Sequence, residues 1–68
     1  MEYNKRDRVV VLGRPIRVSE YVFEDPVGTI IFKQKTHSGI FYDVELDDSS
    51  RIVYNVTEFE LRKYEKEK

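Results

Sequence analysis

The sequence predicts an all-β domain: five short antiparallel strands in a strongly bent sheet that curls into a partly open barrel. Three observations lead there. Apolar residues between positions 27 and 56 recur with a period of two, the side-chain period of extended backbone. Gly, Pro, Asp and Ser interrupt those runs at short intervals, as tight turns require. The chain has 68 residues, room for one domain only, and curling a small sheet limits the strand edges it exposes.

Each element follows in order. Residues 1–7 are polar and charged and are expected to form a flexible N-terminal segment, leaving 8–64 as the single domain. Residues 8–12 (RVVVL) are a β-branched run, a first strand stopped by Gly13 and Pro15. Residues 13–26 form a long connection. Its Ile16, Val18, Tyr21, Val22 and Phe23 are too apolar for a plain solvent loop, so it is expected to lie across the barrel mouth, with short strand pairing as an option, and to end at Asp25 and Pro26. Residues 27–35 (VGTIIFKQK) are the longest strand. Gly28 near its start signals a bulge or a close backbone approach.

Thr36, His37, Ser38 and Gly39 make a hairpin turn. Residues 40–46 (IFYDVEL) then alternate, with Tyr42, Val44 and Leu46 inward and Phe41, Asp43 and Glu45 outward. Asp47, Asp48, Ser49 and Ser50 are a second turn. Residues 51–56 (RIVYNV) return as a strand with Ile52, Tyr54 and Val56 inward. Thr57, Glu58, Phe59 and Glu60 suit one 3₁₀ turn, and residues 61–64 close the sheet. A continuous helix over 57–68 is the rival reading, but Phe59, Leu61 and Tyr64 do not form one helical stripe. Phe32, Tyr42, Tyr54 and Phe59 are assigned to the core or its edge. Residues 65–68 are a flexible charged tail.

This order of elements is an SH3-like barrel architecture, with a long loop after strand 1 and a one-turn 3₁₀ helix before the last strand. The basic first strand, the VGTI start of residues 27–30, the YDVELDD run of 42–48 and the EFEL of 58–61 resemble the SH3-like barrels of the KOW and Tudor type. The SEYVF of residues 19–23 and the segment 55–61 are also similar to the small peripheral photosystem I subunits of that fold. The chain departs from them in having no Trp and in turning through Asp47, Asp48, Ser49 and Ser50. The resemblance implies a fold and an accessory-subunit role.

Composition excludes several activities. Lys and Arg total 12 against 13 Asp and Glu, which is not the excess of a dedicated nucleic-acid binder. Without Cys there is no disulfide, thiolate metal site or Cys nucleophile. One His cannot make a His-pair metal site, and His37 with its turn neighbours lacks an oxyanion-hole motif. Asp43, Glu45, Asp47 and Asp48 lack EF-hand spacing and read as a solvated edge. A chain this short leaves little surface for a deep pocket. No cofactor, metal or catalytic residue is expected, and with no signal-peptide pattern at the N-terminus a cytoplasmic location is expected. Asn55 and Thr57 complete a glycosylation sequon that reads as incidental at a strand position.

The expected function is a small non-enzymatic binding module: a protein-protein adaptor, inhibitor or accessory subunit. A phage- or plasmid-encoded modulator of host machinery would fit that size. The expected partner-binding residues are Arg14, Arg17, Tyr21, Phe23, His37 and Phe41, aromatic and Arg anchors on the long loop and a hairpin tip. The alternative is nucleic-acid binding through Arg6, Arg8, Arg14, Arg17, Lys33 and Lys35, since residues 1–17 carry a net charge of +3.

Overall fold

A computed structural model of the chain describes residues 2–65. Seven strands and one 3₁₀ turn appear, in the order β1 Arg8–Val11, β2 Ile16–Ser19, β3 Val22–Glu24, β4 Val27–Thr36, β5 Gly39–Leu46, β6 Ile52–Thr57, the turn Glu58–Glu60 and β7 Leu61–Lys63. Five of them make one antiparallel sheet in the order β6-β5-β4-β1-β7, and β2 pairs with β3 alone. The sheet is not a closed barrel: β6 and β7 are its two edges. The 3₁₀ turn sits where acidic residues follow Thr57, and no continuous helix replaces it over the described residues. Of the expected tail, residues 66–68 lie outside the described residues.

Alternation places the core. Val9 and Val11 of β1, Ile30 of β4, Tyr42, Val44 and Leu46 of β5, Val56 of β6 and Leu61 of β7 all point to one face and are buried. Tyr3 joins them, which the polar composition of residues 1–7 hid. Its ring meets the Tyr42 ring edge-on at 5.9 Å. Its N–H donates to the Tyr42 hydroxyl at 2.9 Å, and its own hydroxyl donates to the Leu61 carbonyl at 3.3 Å. A turn links this segment to the sheet: Arg6 N–H donates to the Ile30 carbonyl at 2.7 Å, and Ile30 N–H to the Asp7 carbonyl at 3.0 Å. Gly28, opposite both Val9 and Leu46, is the close approach that its position signals; a Cβ there would lie 2.6 Å from the Glu45 carbonyl oxygen.

The outer half of the sheet departs from simple alternation at Asp43. Ile30 pairs with Val44 but Phe32 with Asp43, so β4 carries one extra residue there. Val44 pairs with Val53 but Tyr42 with Val56, so β6 also carries an extra residue opposite Asp43. A bulge reverses which side later residues face. Phe32 therefore turns outward and is 52% exposed, and Tyr54 does the same at 64%. The inward residues of β6 are Val53 and Val56, not Ile52, Tyr54 and Val56. Asn55 takes the left-handed conformation, φ 55°, that Asn tolerates better than most residues. Its N–H donates to Asp43 Oδ1 at 3.1 Å, replacing the ladder bond that the bulge removes. Phe59, also expected at the core edge, is 85% exposed: no residue of the 3₁₀ turn is buried, and Leu61 takes the core position.

Residues 13–26 are not a loop across a barrel mouth. Gly13, at φ 77°, turns the chain out of β1. The short strand pairing allowed for there does form: β2 and β3 make a separate hairpin, and the chain rejoins the sheet where Val11 N–H donates to the Pro26 carbonyl at 2.9 Å. The excursion is an arm, hydrogen-bonded within itself and continuous with no strand of the main sheet.

Candidate functional site

Apart from Phe59, alone on the 3₁₀ turn, two surfaces of this fold carry exposed aromatic side chains, and each follows from local sequence. The first is the arm. Arg17 pairs with Phe23 and Ile16 with Glu24, while Ser19 pairs with Val22, leaving Val18 as an extra residue. Side chains directly opposite across an antiparallel pair share a face. Arg17 and Phe23 therefore lie on one face, and Ile16, Val18, Val22 and Glu24 on the other. Glu20 and Tyr21 make the turn, with Tyr21 86% and Phe23 62% exposed. Arg17 Nη2 donates to the Glu20 carbonyl at 2.8 Å, which holds the guanidinium over the turn.

The second surface is the outer face of β4, β5 and β6. Phe32 lies opposite Asp43, Tyr54 belongs to the β6 bulge that Asp43 faces, and Phe41, two residues before Asp43, shares the face of Asp43. Phe41, Ile31 and Ile52 are half-buried there, and Glu45 is exposed.

The structure brings together only some of the expected partner-binding residues. Arg17, Tyr21 and Phe23 share the arm. Arg14 lies at its base, in an open cleft of about 380 Å³ with Pro15, Arg51 and Ile52. His37 occupies the two-residue turn at the far tip of the β4–β5 hairpin, beyond the nine residue steps of about 3.3 Å that β4 spans from the arm's attachment at Val27. Phe41 belongs to the outer face. The loop and the hairpin tip are therefore separate surfaces rather than one patch.

The basic residues are distributed in the same way. Arg8 forms a two-pronged pair with Asp47, Nη1 donating to Oδ1 at 2.7 Å and Nη2 to Oδ2, and Nη1 also reaches Thr29 Oγ1 at 2.8 Å. Its guanidinium carbon lies 5.7 Å from the centre of the Tyr64 ring. The Arg8 hydrogen bond holds the Asp47 carboxyl below its ordinary value of 3.8. Lys33 and Lys35 both pair with Glu2, Lys35 at 3.2 Å, and these bonds lower the Glu2 pKa. Arg6 is exposed on the turn at φ 80°, Arg14 lies at the base of the arm and Arg17 on it. The six positions thus occupy four different parts of the fold, and three of them already hold carboxylate partners.

Sequence reasoning missed Phe32 and Tyr54 as surface residues. The signal for Tyr54 was Asn55, a strand-averse residue inside a β-branched run. No comparable signal marks the bulge at Ile31. No group of three or more His, Asp or Glu side chains among the described residues is arranged to hold a metal ion. No helix among them is long and apolar enough to cross a membrane. No family model matches the chain, and neither a curated protein nor a solved structure does.

Proposed function

We propose that this chain is a small, cytoplasmic, non-enzymatic binding module that engages a protein partner through the β2–β3 arm, in the manner of an adaptor, inhibitor or accessory subunit. One observation carries the reading: the arm presents Val18, Tyr21, Val22 and Phe23 to solvent, all four exposed, on a hairpin that joins no larger sheet. A lone two-stranded hairpin is marginally stable in water. Contiguous exposed apolar side chains mark interaction sites, and Tyr and Arg are favoured binding anchors. Arg17 beside Phe23 supplies a cation with its aromatic neighbour. The five-stranded order, with β1 between β4 and β7 and a 3₁₀ turn before β7, supports an SH3-like reading of the sheet, open between β6 and β7.

A photo-crosslinking residue at Tyr21 in the source cell tests the arm. The reading expects a protein adduct of defined mass that disappears with Phe23→Ala, while the variant's circular dichroism and melting temperature stay close to the parent's, as for other exposed sites. A Phe23→Ala protein that unfolds would make this side chain structural and end the proposal. So would absence of any adduct. Binding to short single strands that falls steeply with salt would favour nucleic acid instead.

A further inference from the structure

Two largely exposed surfaces of this chain match each other; Phe23, though 62% exposed, also lines an open groove with Val10, Val27 and Tyr64 of its own sheet. The face of the arm that carries Arg17 and Phe23 has a cation and an aromatic ring, with Glu24 on the opposite face. The outer face has Phe32 and Tyr54 on either side of Asp43, with Glu45 two residues further along the same face. Arg8 stands on this face in line with Thr29 and Glu45, but its guanidinium is already paired with Asp47. Lys33 and Lys35 are bound to Glu2 instead. Asp43 Oδ1 accepts from Asn55, and its second oxygen has no partner among the described residues. Arg17 spends one Nη2 bond on Glu20 and forms no other among the described residues. No ring contact ties Phe32, Phe41 or Tyr54 to one another, and no cation among the described residues lies over them.

We infer that the partner of the arm is a second copy of this chain. The Arg17–Phe23 face of one copy seats on the Phe32–Asp43–Tyr54 surface of the other, and a two-fold axis returns the same contact. This rests on the reading of the arm as a docking element. Three physical terms act together. The contact covers the apolar side chains of both surfaces at once. It places a planar guanidinium between a carboxylate and aromatic faces, the environment Arg suits best. Two-fold symmetry then supplies each contact twice, so one complementary pair of patches closes the assembly without leaving a copy of either exposed. The double bulge at Asp43 gains a purpose in this arrangement: it aims both rings outward at the cost of ladder bonds within the sheet.

Sedimentation of the full 68-residue chain over a concentration series tests it. The expected result is a reversible dimer, with Arg17→Asp and Asp43→Lys each weakening association about tenfold or more while the folded spectrum persists. Mixing the two variants should restore a heterodimer, because both contacts then regain an opposite-charge pair. Phe32→Ser, which leaves the Asn55–Asp43 bond alone, should weaken the dimer as well, and it stands in if Asp43→Lys fails to fold. A wild-type chain that stays monomeric up to its solubility limit overturns the inference, and so does a dimer indifferent to all three substitutions. In the monomeric case an adduct from Tyr21 to a different protein would preserve the arm as a docking element; no adduct would remove that as well.

Discussion

Replacing Gly28 with Ala isolates the close approach of β4 to the backbone of β5. Gly28 sits in β4 between Val9 on β1 and Leu46 on β5. Its φ is not in the left-handed region, so the Ala backbone itself is unstrained there. Chain entropy alone would then make Ala stabilising by about 0.4–1 kcal/mol. The space says otherwise. The new Cβ would meet the Glu45 carbonyl oxygen at 2.6 Å, Val44 Cγ1 at 2.6 Å and the Glu45 carbonyl carbon at 3.1 Å, where ordinary contact begins near 3.4 Å. Val44 is fully buried and Glu45 contributes backbone, so neither side can swing away as a flexible side chain would. The strands must part by several tenths of an ångström. Overpacking of this kind costs about 1–3 kcal/mol, which outweighs the entropic gain. In a domain of this size each kcal/mol moves the melting temperature by about 4–8 °C. Thermal unfolding followed by circular dichroism should therefore show Gly28→Ala melting roughly 5–15 °C below the parent. A melting temperature equal to or above the parent's would refute the close approach, because entropy alone predicts that sign.

Two other perturbations test different parts of the frame. Tyr42→Phe removes the acceptor of the buried Tyr3 N–H; an orphaned buried donor costs about 1–3 kcal/mol, so a urea midpoint within error of the parent's would show that Tyr3 does not hold the N-terminal segment to the core. The Arg8–Asp47 pair gives a pH dependence of known sign. Because folding lowers the Asp47 pKa, the pair's contribution is complete above the unfolded-state value of 3.8 and is lost as pH falls through the lower folded value. Both side chains are nearly half exposed, so the effect is at most about 1 kcal/mol and shrinks in salt; Asp47→Asn should flatten that part of the acid titration of stability, and an unchanged acid limb would show the pair contributes nothing.

Much of the fold was legible along the chain. The five strands of the main sheet, both tight turns, the 3₁₀ turn and the close approach at Gly28 all followed from alternation and turn chemistry, which act over a few residues. Tyr42, Val44 and Leu46 point inward because β5 alternates without interruption. Less of the candidate site was legible. The exposed anchors Arg17, Tyr21 and Phe23 were identifiable by type, yet their segment was expected to fold down onto the barrel. Phe32 and Tyr54 were assigned inward because alternation was extended through two positions where it breaks.

The sequence by itself determined an all-β chain, the bounds of the five main-sheet strands to within a residue, and most of its inner face. Turn-forming residues and β-branched runs bias the backbone wherever they occur, without help from distant segments. Tertiary structure alone decided the rest. Whether a bulge forms opposite Asp43 depends on how three strands fit around one curved core. Whether Tyr3 is buried depends on a Tyr42 hydroxyl 39 positions away. Whether residues 16–24 cover the sheet or stand clear of it depends on where the backbone hydrogen bonds at Val11 and Pro26 draw the arm closed. Each is a choice among contacts far apart in the chain, and no local pattern records the energy of a contact that has yet to form.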